Sequence, residues 1–389
     1  MIRRYNALGL IENINLKGDC IMTLQDKRLY MAMELSKKNW RLAFGDGSRQ
    51  RQRTICAGNQ SLLMKEIAKA KEKFGLAQDA EVVSCYEAGR DGFWIDRMLR
   101  SHGVRNTIMD PASIEVPRRA RKRKTDRLDA GRLLRLLLRA ELWGETEVFS
   151  PVCVPDEEHE ALMRIGRERE RLVKERTGHR ARIRSLGALH NIDIGNPLKM
   201  VVDQLRDWAG NPLRAALREE MRREQQRLLL VEEQIKGLER QQAEDLAAKA
   251  TPAAQKAAKL CNLRSVGPQS AWLLGHECFG WRYFRNRKAV GSFAGLTGTP
   301  YDSGQTLREQ GISKAGNARV RTGMIELAWL WVRYQPDSAL THWFVDNYVI
   351  AGTSRSKRKG IVALARKLLV ALWKYVEQDI VPEGAILKA

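Results

Sequence analysis

The chain has 389 residues, of which 43% are hydrophobic and 29% charged, with a formal net charge of +22 at pH 7 and six cysteines. That length exceeds one ordinary core and predicts two or three domains, and the cationic excess implies a polyanionic partner bound in a salt-sensitive way. No run approaches the roughly 18 apolar residues of a membrane span, Met1–Tyr5 lacks the apolar core of a secretory signal, and Cys20, Cys56, Cys85, Cys153, Cys261 and Cys278 stand singly, unlike a zinc site or disulfide framework.

The expectation is therefore a soluble, cytoplasmic nucleic-acid protein. Residues 1–28 are polar and weakly patterned and read as a loosely ordered extension. Leu29–Glu34 and Trp40–Phe44 are β-like runs with a polar turn between them, and Arg53–Ala57 is a third. Ser61–Phe74 has helical spacing, through Leu62, Leu63, Ile67, Ala70 and Phe74. A buried-strand run, Ala80–Tyr86, ends at Glu87; a helix over Gly92–His102 and a strand over Arg105–Met109 follow. This order predicts an α/β domain over 29–150 with a partly parallel sheet, whose strand ends are where such sheets carry their chemistry.

Residues 151–258 change character. Met221, Leu228 and Ile235 repeat every seven residues beside Val231 and Leu238, while Leu162, Ile165, Leu172, Ile183 and Leu186 trace a second seam broken by Arg169, Arg176 and His179. An antiparallel helical hairpin or a dimerising coiled coil fits both. From residue 259 to 389 short, glycine-separated segments lead to a tryptophan-rich helix, Thr322–Tyr334, then a basic loop over 354–360 and a final amphipathic helix, Ile361–Val376.

Two constellations carry chemistry. Asp126 and Asp129 sit at helical i, i+3 spacing beside the most basic stretch of the chain, Arg118, Arg119, Arg121, Lys122, Arg123 and Lys124. They are either helix carboxylates salt-bridged to arginines or hard oxygen ligands for a divalent cation. With Glu34 and Glu87 at strand ends they form a set of four carboxylates whose mutual repulsion divalent cations would relieve, activating an oxygen nucleophile against a phosphodiester. The second constellation is Ser303 in the Gly-flanked segment 298–304, with Ser313, Lys314, Arg319 and Arg321 close behind. A serine there is either a turn residue or a nucleophile beside phosphate-binding cations. Arg355, Lys357, Arg358 and Lys359 add a further basic cluster.

Met33-Glu34-Leu-Ser-Lys37, Cys85-Tyr-Glu87-Ala-Gly89, Lys124-Thr-Asp126-Arg-Leu-Asp129-Ala130, Leu263-Arg-Ser-Val-Gly267-Pro268, Phe293-Ala-Gly-Leu296, Ser303-Gly304 and Ile312-Ser-Lys314-Ala-Gly-Asn317-Ala-Arg319 follow one another in a telling order. From about residue 29 to the end, the chain resembles the DEDD transposases of bacterial insertion sequences, the insertion-sequence 110 family and its 1111 subgroup, relatives of the Piv invertases. The resemblance implies a RuvC-like (RNase H-like) domain carrying the tetrad Glu34, Glu87, Asp126 and Asp129, then a coiled coil, then a small, mostly α-helical domain supplying a serine nucleophile. That serine is Ser303, or Ser313 as second choice. It further implies magnesium or manganese at the tetrad, a covalent phosphoserine–DNA link, donor and target DNA as partners, a structured guide RNA, and homo-oligomers built through the coiled coil. The family usually has aspartate where this chain has Glu34. Two other readings of the same residues are a RuvC-type junction nuclease and a catalytically impaired nucleic-acid-binding relative.

Overall fold

The computed structural model describes residues 3–5, 11–13, 28–89, 92–111, 113–114, 126–145, 147–303, 306–350 and 352–388, and side chains from residue 28 onward except those of 126–128 and 300–310. The chain forms two compact units, Met1–Val154 and Pro155–Ala389.

In the first unit, β1 (Arg3–Tyr5) and β2 (Ile11–Asn13) pair antiparallel, so the described part of the expected loose extension is a short two-stranded ladder. Its backbone pairing does not depend on the hydrophobic alternation that is missing there. β3 (Leu29–Leu35), β4 (Asn39–Gly45), β5 (Gln50–Cys56), α1 (Gln60–Phe74), β6 (Val82–Glu87), α2 (Trp94–Ser101) and β7 (Val104–Met109) follow, and α3 (Asp126–Trp143) comes after them. The sheet order is β5-β4-β3-β6-β7, antiparallel on one side of β3 and parallel on the other. It is the α/β layout, with a partly parallel sheet, that the strand and helix order predicts.

Strand period two then sorts the side chains into layers. Leu29, Met31 and Met33 pack with Leu63, Ile67 and Phe74 of α1 and Ile95 and Leu99 of α2 on one face. Tyr30, Ala32, Val83 and Cys85 pack with Ala130, Leu133, Leu134 and Leu137 of α3 on the other. Each of the buried Leu, Ile, Val, Met and Phe side chains among these contributes about 1.5–3 kcal/mol, enough to fix the strand register against a one-residue slip.

The second unit opens with α4 (Glu157–Ala188) and α5 (Ala215–Ala248), joined through a 3-10 turn at Val202–Gln204. The helices run antiparallel: Arg182 pairs with Glu220, His179 with Glu224, and Arg169 with Glu239. Met221, Leu228, Val231 and Ile235 are buried, as are Leu172, Ile183 and Leu186. The three residues that interrupt the α4 seam have a structural reason. Arg169, Arg176 and His179 reach across to Glu239, Glu232 and Glu224 of α5.

α6 (Pro252–Cys261), α7 (Pro268–Leu274), a π-helical turn (Gly275–Phe279), α8 (Arg287–Phe293), the hairpin β8 (Gly298–Ser303) and β9 (Thr306–Ile312), α9 (Ala318–Tyr334), α10 (Ala339–Tyr348) and α11 (Ser354–Gln378) complete the unit. Val320, Met324, Leu327 and Trp331 of α9 pack with Leu364, Leu368 and Leu372 of α11. The basic segment expected as a loop is instead the first turns of α11. Thr353 caps it through Ser356 N (3.3 Å), and Gly360 inside the helix gives Tyr348 room, since a Cβ there would come within 2.4 Å of Tyr348 Cγ. Among the described residues no helix is long and apolar enough to cross a membrane.

Candidate functional site

Glu34 and Glu87 close two neighbouring parallel strands. The last register pair between β3 and β6 is Met33↔Tyr86, and each acid is the next residue along its strand. Both share strand parity with Tyr30, Ala32, Val83 and Cys85, so both project on the face that carries α3.

The direction of α3 decides what meets them. Near its C-terminus Glu141 receives two hydrogen bonds from Arg105, 3.0 and 2.6 Å long, at the start of β7. Near its middle the Leu133 carbonyl accepts from Cys85 Sγ at 3.7 Å. The helix therefore runs opposite to β6 and β7, and its first turn comes to the C-terminal ends of β3 and β6. Asp129 lies four residues, about 6 Å, before Leu133; Glu87 lies two residues, about 6–7 Å, beyond Cys85. Asp129 and Glu87 thus reach the same level of the sheet. Asp126 is the first residue of α3, and its side chain lies outside the described residues. So do Arg118, Arg119, Arg121, Lys122, Arg123 and Lys124.

Glu34 has a cation opposite it on the other side, since Arg41 is its register partner on β4, with Cβ atoms of such a pair about 5 Å apart. Asp46, the acid after the next strand, is elsewhere. It follows Gly45, which pairs with Tyr30 at the start of β3, four residues or about 13 Å from Glu34. Burial alone would raise its carboxyl, but hydrogen bonds from Arg49 and Ser48 backbone N–H (2.7 and 3.0 Å) hold it below the ordinary value and build the β4–β5 turn.

A buried polar network beneath the strand ends was not legible in the sequence. Ser84 Oγ donates to Asn106 Oδ1 (2.7 Å), Asn106 Nδ2 to Asp96 Oδ1 (2.7 Å), and Arg100 Nε to Asp96 Oδ2 (2.7 Å). Fully satisfied, it locks β6, β7 and α2 together three residues before Glu87. Only a polar residue inside an otherwise apolar strand, Ser84, signals it.

For a metal, the donor chemistry fits: carboxylate oxygens are the ligands a hard divalent cation takes. Among the described residues no three His, Cys, Asp or Glu side chains yet converge on one point, and Asp126, the fourth carboxylate, is not among those side chains.

The serines belong to the second unit. The β8–β9 hairpin places Ser303 opposite Thr306 at its tip, with the Ser303 side chain outside the described residues. Ser313 follows Ile312 at its base. Five residues of strand, about 17 Å, separate the two ends, so a single cleavage centre has room for one of these serines only.

The base is a backbone clasp. Ser313 N donates to Thr297 O (2.8 Å), Lys314 N to Gly295 O (3.1 Å), and Asn317 N to Phe293 O (2.7 Å). Gly295 and Gly316 both have positive φ, and a Cβ on either would sit 2.1 Å from Ala315 O or 2.3 Å from Phe293 O. Ser313 Oγ lies 3.4 Å from Thr297 Oγ1. Arg321 spends its guanidinium on the Ala294 and Lys314 carbonyls (3.2 and 3.0 Å), which makes it a clasp residue. Arg319 pairs with Glu170 of α4 at 3.0 Å, and Lys314 is exposed.

The clasp is tied to the helical pair through Glu277 of the π-helical turn. Glu277 is buried and accepts a bidentate pair from Arg167 of α4 (2.6 and 2.9 Å) and a third bond from Asn317 Nδ2 (3.2 Å). The same Asn317 caps α9 by accepting from Arg319 N and Val320 N. His276, next to Glu277, stacks on Trp272 (3.7 Å between centroids), and burial pushes its imidazole down to about 4. Arg164, Arg167, Arg171, Lys174 and Arg319 line a concavity here together with Glu168 and Glu170. The exposed Arg355, Lys357, Arg358 and Lys359 occupy the start of α11.

Comparison with known proteins adds three relatives and a family model. Residues 257–342 match the model described as the IS116/IS110/IS902 transposase family. The protein y4rJ of Sinorhizobium fredii, transposase by the name inferred for it, is 39% identical over 376 residues, 92% of this chain and 94% of its own. The protein y4qE of the same organism, similarly named, is 30% identical over 67% of this chain and 61% of its own length. The transposase for insertion sequence element IS1533 of Leptospira borgpetersenii is 28% identical over 38% of this chain and 43% of its own.

Proposed function

Because this chain belongs to the IS116/IS110/IS902 transposase family, we propose that it cuts and rejoins DNA strands with a metal-binding carboxylate set and a serine nucleophile. The observation that carries the reading is the placement of Glu34 and Glu87 at equivalent steps of adjacent parallel strands, at the sheet end to which the first turn of α3 comes. The antiparallel–parallel order β5-β4-β3-β6-β7 is consistent with a RuvC-like domain around it.

Glu34, Glu87, Asp126 and Asp129 would hold divalent magnesium or manganese, which would supply charge stabilisation at the phosphoryl oxygens. The chain's own contribution is a serine Oγ that bonds to phosphorus as one P–O bond to sugar breaks, with the released sugar oxygen taking the proton. Reversal on a second strand restores the serine hydroxyl and rejoins the DNA, so bond number is conserved and no external energy source is needed. Ser303 is the first assignment for this role, since the hairpin tip carries no clasp function. Ser313 is the second, its backbone being already committed to holding the hairpin base.

The net charge of +22 supports binding of donor and target DNA, and of a structured guide RNA, through their phosphates. The antiparallel α4–α5 pair supports assembly of copies through a coiled coil. Strand exchange on a donor–target pair tests the reading: Asp126→Ala and Ser303→Ala should each abolish it. Exchange surviving in Ser303→Ala moves the nucleophile to Ser313. Hydrolysed ends without rejoining would favour a junction nuclease. A discrete RNA copurifying at moderate salt is expected; sequence-specific DNA binding without one removes the guided step.

A further inference from the structure

From the end of the π-helical turn into the first turn of α8 the chain reads Trp281-Arg282-Tyr283-Phe284-Arg285-Asn286-Arg287-Lys288, and four of these eight residues are anchored. Trp281 donates its indole N–H to His276 O at 2.9 Å. The Arg282 guanidinium lies between two rings, 4.2 Å from the Trp281 centroid and 4.6 Å from that of Phe293. Phe284 is buried and packs against Phe293 at 5.6 Å. Asn286 caps α8, accepting from Lys288 N and Ala289 N. Against that pinned backbone Tyr283 is 91% exposed, the most exposed of the large hydrophobic side chains described. Arg285, Arg287 and Lys288, also exposed, flank it.

The combination matters more than any member. A lone exposed tyrosine is ordinary. Here Phe284 is buried and Arg282 is held against the Trp281 and Phe293 rings, so the backbone on either side of Tyr283 is anchored while its ring stands in solvent. The ring is presented from an anchored backbone, with a cation two, four and five residues along. An aromatic face next to a short row of cations matches one chemistry, an unpaired base with the phosphates that flank it. Duplex DNA offers the phosphates but keeps its base faces stacked, and an acidic peptide offers no π-face of that area.

We propose that Tyr283 is a stacking platform for an unpaired DNA base, with Arg285, Arg287 and Lys288 on the adjoining phosphates. The proposal rests on the reading of the chain as a DNA-processing transposase, in which unpaired nucleotides arise when strands are opened for exchange.

The full-length protein, single-stranded and duplex DNA of the same sequence, and single-stranded RNA of the same sequence, measured by fluorescence anisotropy, test it. Tyr283→Ala should weaken single-stranded DNA binding by about 5- to 150-fold, the range of one base–aromatic stack, and leave duplex binding within about twofold. Tyr283→Phe, which keeps the ring, should retain wild-type affinity. Replacing Arg285, Arg287 and Lys288 together by alanine should reduce the slope of log affinity against log salt by about 2 on single strands. Equal losses on single-stranded and duplex DNA, or a loss confined to RNA, would overturn the platform. Unchanged single-stranded binding in Tyr283→Ala would do the same while leaving the transposase reading standing. Wild-type protein that binds no DNA in any form would remove both.

Discussion

Glu34 and Glu87 occupy equivalent steps on adjacent parallel strands, each directly after the register pair Met33↔Tyr86 and on the face covered by α3. Side by side, two carboxylates repel unless a cation lies between or beside them. Arg41 opposite Glu34 supplies one fixed charge, and a divalent cation would supply the rest. Neutralising Glu87→Gln or Asp129→Asn should therefore lower single-turnover strand cleavage by at least about 100-fold, as expected when metal-borne charge stabilisation is lost. Neither change should shift the melting temperature much, since Glu87 is exposed at a strand end and Asp129 is only partly buried in the first turn of α3.

Glu34 is the longer acid where the resembling family carries aspartate, and the extra methylene moves the carboxylate by about 1.5 Å. Wild-type protein should cleave in magnesium, with Glu34→Asp within about tenfold of it and Glu34→Gln inactive, since both acids offer oxygen but the amide offers no charge. A silent wild type that gains cleavage on Glu34→Asp identifies the chain as a catalytically impaired nucleic-acid-binding relative.

Arg167 and Glu277 join the helical pair to the serine clasp. Removing the cation by Arg167→Ala leaves a buried carboxylate uncompensated; full burial would cost about 3–5 kcal/mol. Because Arg167 is 40% exposed, about 2 kcal/mol is expected in denaturant unfolding. Adding Glu277→Gln should recover part of that loss, and a double-mutant cycle with no coupling would show that the pair is decorative.

His276 makes stability depend on pH. Its folded-state value, about 4, lies below the ordinary 6.5 because burial disfavours the imidazolium. The unfolded chain therefore binds the proton first as pH falls. The stabilisation from keeping it neutral is complete above about pH 6.5 and is lost progressively down to about pH 4, amounting to roughly 3 kcal/mol. Thermal melts between pH 7 and 4 should fall accordingly, and His276→Gln should flatten that part of the curve.

Gly295 and Gly316 interlock across the clasp, where a Cβ would stand 2.1 Å from Ala315 O and 2.3 Å from Phe293 O. At positive φ as well, Gly316→Ala should cost about 2–4 kcal/mol and lower strand exchange through loss of the hairpin base. A native melt in that variant would contradict the clasp.

Much of the first unit is readable from the sequence because period two and period 3.6 are clean there. Leu29–Leu35 alternates between two apolar layers, and Ile67, Ala70 and Phe74 repeat at helical spacing. The placement of Asp126 and Asp129 at the start of α3 follows from i, i+3 spacing, whereas the direction of α3 needs Arg105–Glu141, a pair 36 residues apart. The α4 seam looked flawed at Arg169, Arg176 and His179 because their partners lie on α5. The run of cations over 354–360 reads as a loop in sequence and forms the first turns of α11, where Gly360 meets Tyr348. Ser84, Asn106 and Asp96 are ordinary polar residues until the fold buries them together.

The most direct measurement is the covalent link itself. Protein incubated with end-labelled donor DNA and magnesium, denatured and resolved by electrophoresis, should yield a labelled species of protein size. Mass spectrometry should then find a nucleotide on Ser303, and the species should vanish in Ser303→Ala, in Asp129→Asn and on chelation of the metal. Cleaved DNA bearing free ends, with no protein-linked label under any of these conditions, would contradict the serine–metal account.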